Sequence, residues 1–140
     1  MDSNYIDKKP LFGWLLQHDF YVFGNPKKIS WVLKDEESTS EQIREHAEMY
    51  LDKITDEQSK YVALHVGIFW CIGTFRIKDE DTVNVILDSK TMFEHIANQI
   101  SVEDEFITKR TVFIRQLIAQ RKLNVNYKYD EKNLAKNLIT

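Results

Sequence analysis

Four histidines, at positions 18, 46, 65 and 95, and one cysteine, Cys71, are the side chains of this 140-residue chain best suited to metal or nucleophilic chemistry. A zinc site wants ligands at short spacing, as in H-E-x-x-H or paired C-x-x-C, because several of them must meet around one ion. No such spacing occurs. Glu45-His46 and Glu94-His95 are adjacent pairs, and adjacent residues on a helix face different ways. His18, His46 and His95 are therefore expected at the surface or its boundary and His65, inside an apolar run, as a hydrogen-bonded core residue, with no metal and no other cofactor implied. Cys71 lies six residues from His65, amid Trp70 and Ile72. That spacing points the two side chains apart on a helix, and apolar surroundings raise a thiol's pKa, so Cys71 reads as an inert core residue. Glycines at 13, 24, 67 and 73 cannot build a phosphate-cradling loop, and no G-x-S-x-G elbow is present.

The segment VILDSKTMFEHI carries the strongest catalytic suggestion: an acid at a strand end, Asp88, then Ser89, then a helix. In that order it resembles one acidic element of ribonuclease H-like folds. The resemblance implies a metal-dependent nuclease using Asp88, with several carboxylates converging on Mg²⁺. No matching Asp stands in the first strand, and the succession of strands that should precede the helix is absent from the elements read below. The other role for Asp88 and Ser89 is to cap that helix.

Two surfaces could bind a macromolecule. The first is basic: Lys27 and Lys28 at a hairpin tip, and Lys109, Arg110, Arg115, Arg121, Lys122 and Lys128 toward the C-terminus. A net charge of −3 and a pI near 5.8 weigh against a protein devoted to gripping phosphate backbones, since that term depends on an excess of cations. The second is aromatic: Tyr5, Phe12, Trp14, Phe20, Tyr21, Phe23 and Trp31 crowd the first 31 residues. In a strand Phe20 and Val22 face one side while Tyr21 and Phe23 face the other. Either helices cover both faces, or one face meets another chain through aromatic anchors.

The elements that would position these groups follow from periodicity and punctuation. Residues 1–10 form a loose lead-in. DFYVFGNPKKISWVLK reads as a hairpin, with Gly, Asn and Pro supplying the turn. In STSEQIREHAEMYLDKI, Ser38 with Glu41 matches a capping box, and Ile43, Ala47, Tyr50, Leu51 and Ile54 recur at helical spacing. A second capping box, Thr55 with Gln58, opens the apolar run YVALHVGIFWCIGTF. That run is too short for a bilayer, which needs about 20 apolar residues. Its composition also suits a strand starting near residue 63, but the cap predicts a buried helix from about 56 to 72. FRIKDEDTVNVILD reads as a second hairpin. Helices capped by Ser89 and Ser101 follow, then an edge strand VNYKY and a tail that either forms a short amphipathic helix or frays over 130–140.

The expected fold is a single α+β domain over residues 1–140, with two hairpins (about 19–34 and 73–87) and four or five helices around the central one. One cysteine and no secretory leader point to the cytoplasm. Abundant Ile, Lys and Asn suit an AT-rich source such as bacteria, phages or viruses. The leading functional expectation is a non-enzymatic protein that binds another protein or itself through Trp14, Tyr21, Phe23 and Trp31. The alternative is nucleic-acid binding through Lys109, Arg110, Arg115, Arg121 and Lys122. A nuclease using Asp88 is the third.

Overall fold

The computed structural model describes residues 17–139. Trp14 and the lead-in over 1–10 lie outside them. Strands β1 (Gln17–Gly24) and β2 (Lys28–Lys34) form the expected antiparallel hairpin. Asn25 closes its turn: the side-chain oxygen accepts the N–H groups of Lys27 and Lys28, both at 2.8 Å.

The next element corrects the sequence reading. Residues Thr39–Glu45, expected to be helical, are a strand, β3, paired antiparallel with β2. Ser38 does not cap a helix. Its N–H and that of Glu37 donate to Asp35 Oδ1 at 2.8 and 2.9 Å, and this carboxylate-centred turn sends the chain back along β2. The free edge of β2 needed a partner, and a largely polar sequence can supply one from an outer position.

Helix α1 (Asp56–Gly73) is the predicted central helix. Both halves of its capping box are present: Gln58 N–H donates to Thr55 Oγ1 and Thr55 N–H to the Gln58 side-chain oxygen, each at 3.0 Å. Asp56 and Glu57 sit in the first turn, where the helix dipole favours anions. α1 lies directly on β1 and β2. Gly67 permits the approach, because a Cβ there would stand 2.6 Å from Phe20 Cζ and 3.1 Å from the Trp31 ring.

The hairpin expected over 73–87 does not form. Residues 74–81 turn through Phe75 and Glu80, both at positive φ, and deliver strand β4 (Thr82–Leu87) into the middle of the sheet. β4 pairs in parallel with β1 and with β5 (Asn124–Tyr129). Its near-continuous burial suits a strand covered on both faces. Between β4 and β5 come α2 (Lys90–Ile96), capped by Ser89 as expected, and α3 (Glu105–Gln120). α3 is capped by Asp104 in place of Ser101, both being good cap residues three positions apart.

The described residues form a single α+β domain with a mixed five-stranded sheet in the order β3-β2-β1-β4-β5 and four helices. α1 covers one face, and α3 packs outside it. Ser30 alternates with Ile29 and Trp31 and so faces the other side, where its hydroxyl donates to Ala135 O at 2.7 Å. That bond docks the tail, which ends in the short helix α4 (Lys136–Ile139). Among the described residues no helix is long and apolar enough to cross a membrane.

Candidate functional site

The carboxyl-terminal ends of β1 and β4 lie side by side, and three other segments converge there. Asp88 immediately follows β4. Its Oδ2 accepts a hydrogen bond from Asn133 Nδ2 at 3.0 Å, and the same amide donates to Val22 O on β1 at 2.9 Å. Ser89 caps α2 and donates its own hydroxyl to Glu57 Oε2, at 2.7 Å, in the first turn of α1. One turn on, Lys60 Nζ lies 4.0 Å from Glu57 and 5.6 Å from the centroid of the Phe23 ring. Lys136 of α4 brings a second ammonium within 5.8 Å of the same ring. Asp88, Glu57, Lys60, Asn133, Lys136 and Phe23 thus form one connected polar pole.

A second basic feature lies beside β5. Arg115 and Lys122 line an open groove of about 470 Å³ with Tyr127, over a floor of Ile118, Ala119, Leu123 and Val125. The other predicted basic residues are engaged or apart. Arg110 donates to His65 Nδ1 at 3.1 Å and to the Tyr50 hydroxyl at 2.6 Å, and stacks over the Tyr50 and Phe106 rings, so it clamps α3 to the rest of the domain. Arg121 pairs with Asp79 at 3.6 Å. Lys109 is exposed on α3.

The fold is ribonuclease H-like. The N-terminal RNase H domain of Rv2228c from Mycobacterium tuberculosis is similar with a TM-score of 0.64 at 16% identity, over 87% of each chain. LC11-RNase H1, solved in complex with an RNA/DNA hybrid, gives 0.61 at 17% identity, over 88% of this chain and 92% of its own. RNase H1 from the archaeon Halobacterium salinarum gives 0.59 at 14% identity, over 84% and 86%. No family model and no curated protein sequence matches the chain.

These likenesses overturn the leading expectation. A chain laid out along most of its length as ribonuclease H domains are does not support a non-enzymatic module whose partners are a protein or a second copy of itself. The expectation that the chain is not an enzyme falls with it. Of the anchors expected for protein binding, one is closed off. Trp31 is fully buried beneath α1, Tyr21 and Phe23 are half-buried, and Trp14 lies outside the described residues.

Mg²⁺ held by several carboxylates, which the ribonuclease H resemblance implies, does not fit this pole. Among the described residues no group of three or more His, Cys, Asp or Glu side chains could hold a metal ion. Next to Asp88 the partner is an amide donor, where a cation would need an anionic oxygen, and Lys60 adds positive charge to the same pole.

Three histidines differ from their expected surface positions. His18, His46 and His95 are buried, each with a polar partner that makes burial affordable. His18 Nε2 bonds to Asp81 Oδ2 at 3.0 Å, His46 Nε2 donates to Asn25 O at 2.8 Å, and His95 Nδ1 shares a hydrogen bond with the Tyr61 hydroxyl at 2.8 Å. Half-buried His65 stacks on Phe113 and accepts from Arg110. Cys71 is buried as expected, and desolvation pushes its thiol up to about 12, which leaves it inert at neutral pH.

Burial, and secondarily Arg110 and Arg115, hold His65 and His95 below the usual histidine value of 6.5. The folded protein therefore favours their neutral forms, and the unfolded chain takes up protons first. Their contribution to stability is complete above about pH 6.5 and is lost as the pH falls below it. Urea midpoints should fall from about pH 7 toward pH 5. The decline should be shallower in His65→Gln, and an unchanged slope in that variant would remove His65 from the account.

Lys60, Asn133, Lys136 and Glu57 were not singled out from the sequence. One signal was available: the Thr55 capping box sets the phase of α1 and thereby places Glu57 and Lys60 in its first turns.

Proposed function

We propose that this chain is a ribonuclease H-like domain that engages nucleic acid, with an RNA/DNA hybrid as the first ligand to test. The observation that carries this reading is the shared topology over 88% of the chain with LC11-RNase H1, a protein solved on such a hybrid. The basic groove of Arg115 and Lys122 and the lysines of the strand-end pole supply local cations. Because net charge is −3, attraction has to come from these local groups and not from the protein's overall field. A single buried cysteine is in keeping with a reducing compartment, and a cytoplasmic location is part of this proposal.

Fluorescence anisotropy with hybrid, double-stranded DNA and double-stranded RNA tests the reading. Binding should weaken steeply with salt, and the double variant Arg115→Glu, Lys122→Glu should cost on the order of tenfold or more in affinity at low salt. No binding at low salt, or binding indifferent to salt, would overturn the proposal. The same incubations, followed on a gel, read strand cleavage. Cleavage abolished by Asp88→Asn would assign the strand-end carboxylate a catalytic role.

A further inference from the structure

The groove beside β5 combines an apolar floor, of Ile118, Ala119, Leu123 and Val125, with the charges of Arg115 and Lys122. No acidic residue lines it, so its own charge is positive although the chain's is −3. Neither cation is committed to the fold. The Lys122 side chain has no hydrogen-bond or ion-pair partner among the described residues, and Arg115 makes only one long contact, Nη2 to Ile96 O at 3.5 Å. Tyr127 shares the groove, and its hydroxyl has no hydrogen-bond partner among the described residues either. Burial pushes that hydroxyl up to about 12, with the nearby Arg115 acting against the rise, so at neutral pH it is a donor left to whatever enters.

The backbone adds an independent observation. Lys122 follows α3 at φ 54°, the left-handed conformation that glycine usually supplies after a helix. There the N–H groups of Lys122 and Leu123 close the helix end on Ala119 O and Ile118 O, at 3.1 and 3.0 Å. Glycine would serve that turn better, so the reason for a lysine lies in its side chain. The groove is also distinct from the strand-end pole: Val125 and Tyr127 are level with Val83 and Val85, well before Asp88.

These groups suit an unpaired strand better than a paired one. Bases in a duplex are stacked on one another and cannot lie on an apolar floor, whereas an unpaired strand offers base faces and phosphates together. A groove this open cannot enclose a free nucleotide as a ligand pocket does. We infer that it takes an unpaired stretch of nucleic-acid strand, with a base against the floor and Tyr127 and phosphates on Arg115 and Lys122. The domain then prefers a duplex that carries a single-stranded extension to a blunt one, an inference that rests on the nucleic-acid reading above and narrows it.

The test is fluorescence anisotropy on the full chain, with a blunt hybrid and the same hybrid extended by about six nucleotides at one end or the other. Wild type should bind an extended hybrid about tenfold more tightly, the contribution of roughly one stacked base. Its log K should also fall more steeply with log salt, by about 1.4, near 0.7 for each of two single-strand phosphates. The ratio of extended to blunt affinity is insensitive to a general loss of attraction. Ala119→Gln, which puts a polar side chain on the floor, and Lys122→Gly should each bring that ratio to within about twofold of one. Lys122→Gly should at the same time hold or raise the urea midpoint, because it relieves the backbone, whereas a merely structural lysine would lower it. A ratio near one in wild type, or a wild-type ratio kept by Ala119→Gln, overturns the inference and leaves the nucleic-acid reading standing. Displacement of the extended hybrid by a nucleoside monophosphate at matched nucleotide concentration overturns it in favour of a small-ligand pocket. Wild type that binds neither hybrid at low salt sinks both readings together.

Discussion

Trp31→Ala is expected to lower the free energy of unfolding by about 3–5 kcal/mol, the range for removing a large aromatic from a closed core. Trp31 is fully buried at the centre of β2, level with Val22 of β1 and Gln42 of β3. Its ring meets α1 where Gly67 leaves room for it and lies 5.9 Å from the Trp70 ring at a tilt of 54°. Arg44 of β3 lays its guanidinium 5.6 Å from the ring centroid. Truncation would thus loosen the helix, the central hairpin and the edge strand together. Trp31→Phe should cost much less, because the indole N–H has no hydrogen-bond partner among the described residues and nothing polar is lost with it. Urea denaturation with both variants decides the matter. A cost below about 1 kcal/mol for the alanine variant would mean that the seam between helix and sheet is not where the domain's stability is concentrated.

Asp81→Ala should destabilise by a comparable amount, about 3 kcal/mol or more, because it leaves one half of a buried polar pair behind. Asp81 and His18 are both buried and joined at 3.0 Å, and the same carboxylate oxygen accepts the N–H of Lys78 at 2.9 Å. The pair bolts the loop 74–81 to the start of β1 and so sets the register in which β4 enters the sheet, His18 opposite Val83. A double-mutant cycle with His18→Leu separates the pair from its packing: if the two losses add, the residues are not coupled. Asp81→Asn keeps the shape and an acceptor, and it should retain more stability than Asp81→Ala.

How far the fold was readable depended on whether each signal was local. The Thr55 capping box is made by residues three apart and correctly announced α1 although the run behind it is rich in β-branched side chains. Ser38 and Glu41 present the same pattern, and there it misled. Asp35 captures Ser38, and the unsatisfied edge of β2, a tertiary demand, outweighs the helical spacing of Ile43 and its neighbours. That one substitution of helix for strand hid the three strands that precede α1, and with them the ribonuclease H-like layout that Asp88 alone had suggested. The site was less legible. Asp88 stood out because it ends a strand. Its companions gather through contacts across 45 residues, from Asn133 to Asp88, and 111 residues, from Asn133 to Val22. No spacing rule reaches that far.

Those separations also set an order of events during synthesis and folding. The β1–β2–β3 meander closes short loops and can form early, whereas β4 must find β1 across 65 residues in register, Asp19 opposite Asn84. The pole is complete only when Asn133 and Ala135 have dropped onto β1 and β2. Until residues 130–135 have emerged, the sheet therefore stands without its pole.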